Sequence, residues 1–264
     1  MSGAALREVA EYLDGYLRIR ELPDEPGAVN GLQVENGGAV RQIVAAVDAS
    51  QATIDAAVAE GGGEGGVLLL VHHGLLWDGN TPLTGRRYRR VRALLDADAA
   101  LYSAHIPLDV HPEVGNNVVL AERVGLSVDG WFGDYRGIPL GVWGRAPHRL
   151  ESLDALEAEL GRVLGSHHPM PVHVIRGGPA RVGRIGIVTG AGGSMIRAAR
   201  DAGLDTLVTG EGPHHTYFDA TEWGLNVVYA GHYATETLGV QALASHLADR
   251  FDLPWEFHDH PTGL

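Results

Sequence analysis

Val67-Leu68-Leu69-Leu70-Val71-His72-His73 sets the organisation of this chain. Five apolar residues preceded by a glycine run (Gly61 to Gly63, Gly65, Gly66) predict a fully buried strand. The strand ends on two adjacent imidazoles and Gly74. Open α/β sheets place their chemistry at the carboxyl ends of strands, so a strand that stops on ligand-type side chains marks a candidate site. Neighbours in a regular strand point to opposite faces. His72 and His73 are therefore not expected to share one ion inside the strand, but just beyond it each could reach a different ion. That geometry predicts a two-metal site, provided the rest of the chain supplies further ligands.

Composition narrows the alternatives. A chain of 264 residues can bury a sizeable core as one large α/β domain or as two intimate halves. With 45% hydrophobic and 20% charged residues, it is a globular rather than a disordered sequence. No apolar run approaches a membrane span. The start, Met1-Ser2-Gly3-Ala4-Ala5-Leu6-Arg7-Glu8, lacks the layout of a signal peptide. A cytoplasmic location without membrane contact is expected. The absence of cysteine removes disulfides, thiolate ligands and a Cys nucleophile. All 20 basic residues are arginine, which excludes Schiff-base and phosphate-loop lysines. A net charge of −13 argues against nucleic acid as a partner. The 14 histidines mean that some fall near carboxylates by chance.

Around the buried strand, periodicity predicts an amphipathic helix over 4–20 and a Pro/Gly/Asn loop over 23–31. A strand over 42–47 ends at Asp48, and Ser50 caps a helix over 51–60. After the loop 74–84 come a helix over 85–96, a strand over 100–104 ending before His105, and a helix near 114–124. The middle holds a strand over 138–143, a helix over 150–164 and a strand over 172–175. Strands over 184–189, 206–209 and 226–230 then alternate with helices over 194–202, 214–223 and 235–250.

The two ends of this order look alike. Strands 43–47, 67–71 and 101–104 match 185–189, 206–209 and 227–230, and the doublet His72-His73 matches His214-His215. Each half closes on a histidine with an acid four residues on: His105 with Asp109, and His232 with Glu236. We read this as a weak internal duplication. The predicted fold is α/β, one domain made of two similar halves, about 1–128 and 129–264, sharing a central crevice. A His-x-x-x-acid spacing puts both side chains on one helix face or at two ends of a tight loop. One such pair means little; two, each directly after an apolar strand, point to ligands. Pro107 makes the first pair a loop.

The candidate metal ligands are His72, His73, His105, Asp109, His232 and Glu236. Nitrogen and oxygen donors without sulfur suit zinc, manganese, iron, cobalt or nickel alike. Two divalent ions against two carboxylates leave about +2, which a bridging hydroxide and an anionic substrate would neutralise. Ions about 3.5–4 Å apart acidify the shared water and clamp the attacked group, with Asp109 or Glu236 as the bridge. Glu211 and His215, at the equivalent strand end of the second half, are candidates for general acid/base work or for orienting a ligand. His167 and His168 repeat the doublet without a buried strand ahead of them and are left out.

Gly190-Ala191-Gly192-Gly193-Ser194 could bind phosphate at a helix start, but it is only part of a dinucleotide fingerprint and reads better as a tight turn. Arg86, Arg87, Arg89, Arg90 and Arg92 form a solvated face or subunit contact that could also draw in a phosphorylated substrate. No Gly-x-Ser-x-Gly elbow is present, and the Trp and Met residues show no pattern beyond core packing.

With these residues assembled, the chain resembles the Nif-three-like family of toroidal dinuclear-metal proteins, the GTP cyclohydrolase 1 type 2 homologues. Asn30-Gly31-Leu32-Gln33-Val34 resembles an early motif, and Val47-Asp48-Ala49-Ser50 the first strand end. Leu70-Val71-His72-His73-Gly74 resembles the histidine doublet, and Tyr102-Ser103-Ala104-His105 with Leu108-Asp109 the middle motif. Thr209-Gly210-Glu211 through His215, continued by Ala230-Gly231-His232-Tyr233-Ala234-Thr235-Glu236, is the most specific match. The family commonly has Asp where this chain has Glu211, and a longer, more polar run at Gly212-Pro213. The resemblance implies two linked α/β halves without the inserted middle domain of longer members, two divalent ions per subunit and a homohexamer built as a trimer of dimers. The activity it implies is hydrolytic opening of the guanine imidazole ring of GTP. The alternative is a non-catalytic metal-binding scaffold.

Overall fold

The computed structural model describes residues 3–61, 65–165, 167 and 171–264. Gly62 and Gly63 of the glycine run, and His168 of the unused doublet, lie outside these residues. In chain order the elements are β1 (Ala4–Ala5), α1 (Leu6–Tyr16), β2 (Gly31–Val34), β3 (Ala39–Val40), β4 (Gln42–Asp48), α2 (Gln51–Glu60) and β5 (Val67–His73). Next come α3 (Gly85–Asp96), β6 (Ala100–Ser103), α4 (Ile106–Asp109), α5 (Asn116–Arg123), β7 (Gly130–Tyr135) and β8 (Ile138–Arg145). The order continues with α6 (Leu153–Leu164), β9 (His173–Arg176), β10 (Arg184–Val188), α7 (Ile196–Asp201) and β11 (Thr206–Thr209). It closes with α8 (Thr216–Trp223), β12 (Asn226–Tyr229), α9 (His232–Phe251) and β13 (Trp255–Phe257). This mixed α/β chain divides into two compact units: Met1–Leu108 with Val240–His260, and Asp109–Gly239 with Pro261–Leu264.

The first unit holds a five-stranded sheet in the order β13-β4-β5-β6-β2. β4, β5, β6 and β13 run parallel, and β2 pairs antiparallel with β6. Parallel strands need crossovers, and α2 and α3 provide them. Ile43 to Val47 and Val67 to Val71 are buried on both faces of their strands, which is why their sequence is continuously apolar rather than alternating. Val44, Ala46, Leu69, Val71 and Leu101 pack one face of the sheet against Ile54 and Ala57 of α2 and Leu94 of α3. Each fully buried aliphatic side chain contributes about 1.5–3 kcal/mol, so the strand ends that carry the histidines are firmly placed. Ser50 caps α2, its Oγ accepting from Thr53 N at 3.1 Å. Ser50→Ala is expected to cost about 1 kcal/mol, read as a lower urea midpoint with an unchanged slope.

The second unit holds a six-stranded sheet, β7-β8-β10-β11-β12-β9. Its centre is the parallel trio β10, β11 and β12, flanked by antiparallel β8 and β9. β7 and β8 form a hairpin across Arg136-Gly137. The strands that the sequence placed in correspondence, β4, β5 and β6 in one unit and β10, β11 and β12 in the other, run parallel within their sheets; the first sheet adds the parallel β13, and the other flanking strands differ.

Several elements depart from the sequence expectations. β2 lies at the end of the segment expected to be a loop; it is a short edge strand with a register shift between Leu32 and Val34. β7 and β13 carry Gly, Asp, Trp and Glu rather than a β-branched run. The stretch after His105 is a one-turn helix, α4, not a loop. Pro107 sits in its first turn, where its missing N–H has no intrahelical partner to lose. α9 starts at His232, a turn before the expected start, which brings His232 and Glu236 onto one helix. Among the described residues no helix is long and apolar enough to cross a membrane.

Candidate functional site

In the first unit, β5 carries its ladder through to His73, paired with Asp48 of β4. Ligand atoms of His72, His73 and His105 lie within 4.8 Å of one another, a group that could hold a metal ion. A regular strand would keep His72 and His73 from sharing one ion, yet here their ligand atoms come close enough for one ion to reach both. The reason is lateral tethering at the strand end. His72 Nδ1 reaches the Ala104 carbonyl beyond β6 (2.8 Å), while His73 Nδ1 reaches Asp48 Oδ1 on the other side (2.8 Å). The two rings converge, with centroids 4.7 Å apart. His105 Nδ1 is held by Asp24 Oδ1 at 2.7 Å. Asn30 supports both partners: its Oδ1 accepts from His105 N, and its Nδ2 donates to Asp24 Oδ2.

Carbonyl and carboxylate oxygens only accept, so each of these Nδ1 atoms must donate and the tautomer leaves Nε2 as the coordinating nitrogen. Burial raises the Asp24 pKa, but the bonds from His105, Asn30 and Glu25 outweigh it and hold the carboxyl below its ordinary value. Trp77 packs edge-on against His105 (5.0 Å, 88°) and His73 (5.9 Å, 72°) with 38% of its surface exposed. Core packing therefore does not describe this tryptophan.

In the second unit, α9 presents His232 and Glu236 on its first turns, with Nε2 and Oε2 3.2 Å apart. His232 Nδ1 donates to Glu211 Oε1 at 2.7 Å. Of the two roles considered for Glu211, this geometry is that of an orienting group. Burial opposes charge on His232, but Glu236 and then Glu211 reverse that, and its pKa is raised to about 9. A cation entering here would have to displace the Nε2 proton. Glu236 is 3% exposed, and Gly190 makes room for it. Gly190 sits at φ +65, and a methyl group there would overlap the Glu236 carboxylate.

The Asp109 carboxylate accepts from Asn116 Nδ2 (2.8 Å) and Thr189 Oγ1 (3.4 Å). Asn116 is in turn fixed by Gly239 N on its Oδ1 (2.7 Å). His215 is exposed at the start of α8 and makes no hydrogen bond to Glu211, His232 or Glu236. The glycine loop after β10 is a structural turn. The backbone N–H groups of Gly190, Gly192 and Gly193 go to Thr235 Oγ1, Thr209 Oγ1 and Glu211 O, leaving none of the three for a phosphate.

Sequence reasoning assigned no part in the site to Asp24, Asn116, Thr189 or Trp77, nor any contact to Asn30. Only Asn116 carried a local signal, as a polar amide at a helix start; Asp24 and Thr189 act across long sequence separations, and Trp77 lies in an irregular loop without a periodic pattern. Imidazole donors gathered where parallel strands end define a mixed α/β protein with a side-chain group that could hold a metal ion. The chain belongs to the Duf34/NIF3 (NGG1p interacting factor 3) family, whose model matches residues 4–262. It is 44% identical over 261 residues to the GTP cyclohydrolase 1 type 2 homolog of Deinococcus radiodurans, covering 97% of this chain and 94% of that one. It is also 44% identical over 258 residues to the protein of the same name from Halobacterium salinarum, covering 97% and 98%. The crystal structure of TTHA1606 from Thermus thermophilus is similar at a TM-score of 0.85 and 43% identity, over 99% of this chain and 100% of that one.

Proposed function

We propose that this protein is a metal-dependent hydrolase that holds two divalent cations through His72, His73, His105, Asp109, His232 and Glu236. Its substrate would be an anionic molecule with an electrophilic carbon, C8 of a guanine nucleotide being the first candidate. What supports this is the shared restraint on the imidazoles. All four donate Nδ1–H to an oxygen, and so all four offer Nε2 as the ligand. The donor set fits zinc, manganese, iron, cobalt or nickel. Held by these residues, divalent ions would supply an acidified water as nucleophile and a Lewis acid to polarise the attacked group. The chain's own residues do the positioning. Asp24, Asp48, Glu211 and the Ala104 carbonyl fix the rings, while Asn116 and Thr189 aim the Asp109 carboxylate. The name shared by the Deinococcus and Halobacterium relatives supports GTP as the substrate to try first. A homohexameric ring belongs to the same proposal, and sedimentation of the full chain reads it directly.

Metal content by mass spectrometry, paired with GTP turnover, tests the mechanism. The wild type is expected to carry roughly two ions per chain and to open the guanine ring. His72→Ala and Glu236→Ala should each lower occupancy and abolish turnover. Unchanged turnover in both variants rules out the two-metal mechanism, and a blank screen of nucleotides at full occupancy leaves the scaffold alternative.

A further inference from the structure

Helix α3 carries five arginines within seven residues, and most of them have defined partners. Arg86 Nη2 lies 3.0 Å from both oxygens of Asp78. Arg87 Nη1 donates to the Gly79 carbonyl (2.8 Å) and Thr81 Oγ1 (2.6 Å), pinning the loop between β5 and α3. Arg92 pairs with Asp96 at 3.0 Å, and Arg89 is exposed. Arg90 differs. Like Arg87 it is half-buried with its Nε buried and without a hydrogen-bond partner, but unlike Arg87 it makes no other hydrogen bond or ion pair among the described residues. The carboxylates whose charge reaches it are Asp78 and Asp48. Asp78 is committed to Arg86, and Asp48 to His73 Nδ1.

Arg86 and Arg89 add like charge beside it. Burial, followed by Arg86, pushes the Arg90 guanidinium below its ordinary value, though it stays protonated. A partly desolvated cation without a counter-ion raises the free energy of the folded chain, and an arriving anion would relieve it. Arg90 lies one helical turn on from Arg86, whose partner Asp78 belongs to the loop that leads from His73 to α3. Trp77, directly before Asp78, offers an exposed aromatic surface against His73 and His105.

We propose that Arg90 is the phosphate-binding residue of the His72–His73–His105 site, for a ligand whose planar heterocycle lies on Trp77. This deepens the hydrolase function proposed above and rests on it for the location of the site. A planar guanidinium recognises phosphate by paired, charge-assisted hydrogen bonds, and an indole face takes a base by stacking. The ligand class is therefore a phosphorylated nucleoside.

Calorimetric titration of the metal-loaded full chain with GTP and with guanosine tests this. Arg90→Gln is expected to weaken GTP binding about ten- to hundredfold and to leave guanosine binding and metal content unchanged. Arg90→Lys should recover part of the loss, and Trp77→Ala should weaken both ligands. Arg90→Gln should also melt no lower than the wild type, since no intramolecular partner is lost. The proposal is overturned if Arg90→Gln binds GTP like the wild type, if it loses guanosine to the same degree, or if the wild type binds GTP no better than guanosine. Turnover separates the two proposals. GTP bound through Arg90 without hydrolysis sinks the hydrolase and leaves this site. GTP hydrolysed with the same KM and kcat in Arg90→Gln does the reverse.

Discussion

Gly190→Ala is expected to destabilise the protein by about 2–4 kcal/mol and to reduce its metal capacity. Gly224→Ala should cost about 1–2 kcal/mol and leave metal binding untouched. Both glycines are left-handed, at φ +65 and +69, so alanine meets similar backbone strain at each. Their surroundings differ. A Cβ at 224 meets nothing within 4 Å, whereas at 190 it overlaps the Glu236 carboxylate and lies 3.5 Å from His232 Nε2. The backbone at 190 has little freedom to yield, because its N–H goes to Thr235 Oγ1 and its carbonyl accepts from Gly210 N and Glu211 N. The carboxylate must move instead, and it then leaves the 3.2 Å pairing with His232. Denaturant midpoints and chelator-competition titrations of the two variants measure the difference. Equal losses at the two positions would mean that backbone strain is the whole effect and that Gly190 does not shelter Glu236.

The features legible in the sequence are those written in contiguous residues. Val67 to Val71 could be recognised because a strand buried on both faces must be apolar throughout. Histidines and acids just beyond strand ends stood out because apolar runs point to them, and His232 with Glu236 does share one helix. The remaining features depend on contacts between distant segments. Asp24 lies in a Pro/Gly loop and reaches His105 across 81 positions; no local pattern marks it. Trp77 could not be told from a core residue without knowing which rings it touches. The opposite-face rule for His72 and His73 was sound for a regular strand but was overridden by two tethers from neighbouring strand ends. Edge strands β2, β7 and β13 were invisible because short, half-covered strands need no sustained apolar pattern.

Asp24 also provides the sharpest test of how the first unit selects its ligand atoms. Oδ1 accepts from His105 Nδ1 (2.7 Å) and Glu25 N (2.6 Å), while Oδ2 accepts from Asn30 Nδ2 (2.7 Å) and Ile106 N (2.9 Å). Its side chain is 7% exposed. Asp24→Ala strands these donors around a cavity and is expected to cost about 3–5 kcal/mol, as when one member of a buried pair is removed. Asp24→Asn keeps the shape and should cost about 1–2 kcal/mol, but it must turn an NH2 group toward one pair of donors. Facing Asn30 Nδ2 and Ile106 N, the amide nitrogen would strand two fixed donors; facing His105 and Glu25 it strands only the Glu25 N–H, because the imidazole can change its role, so it faces His105. His105 Nδ1 then becomes the acceptor and its proton moves to Nε2, the atom needed for coordination. Metal affinity should fall about ten- to hundredfold in a protein that is otherwise well folded. Nitrogen chemical shifts of the metal-free protein would show the His105 tautomer exchanged. If Asp24→Asn kept wild-type affinity with Nε2 protonated, orientation through Nδ1 would not be what makes these imidazoles ligands.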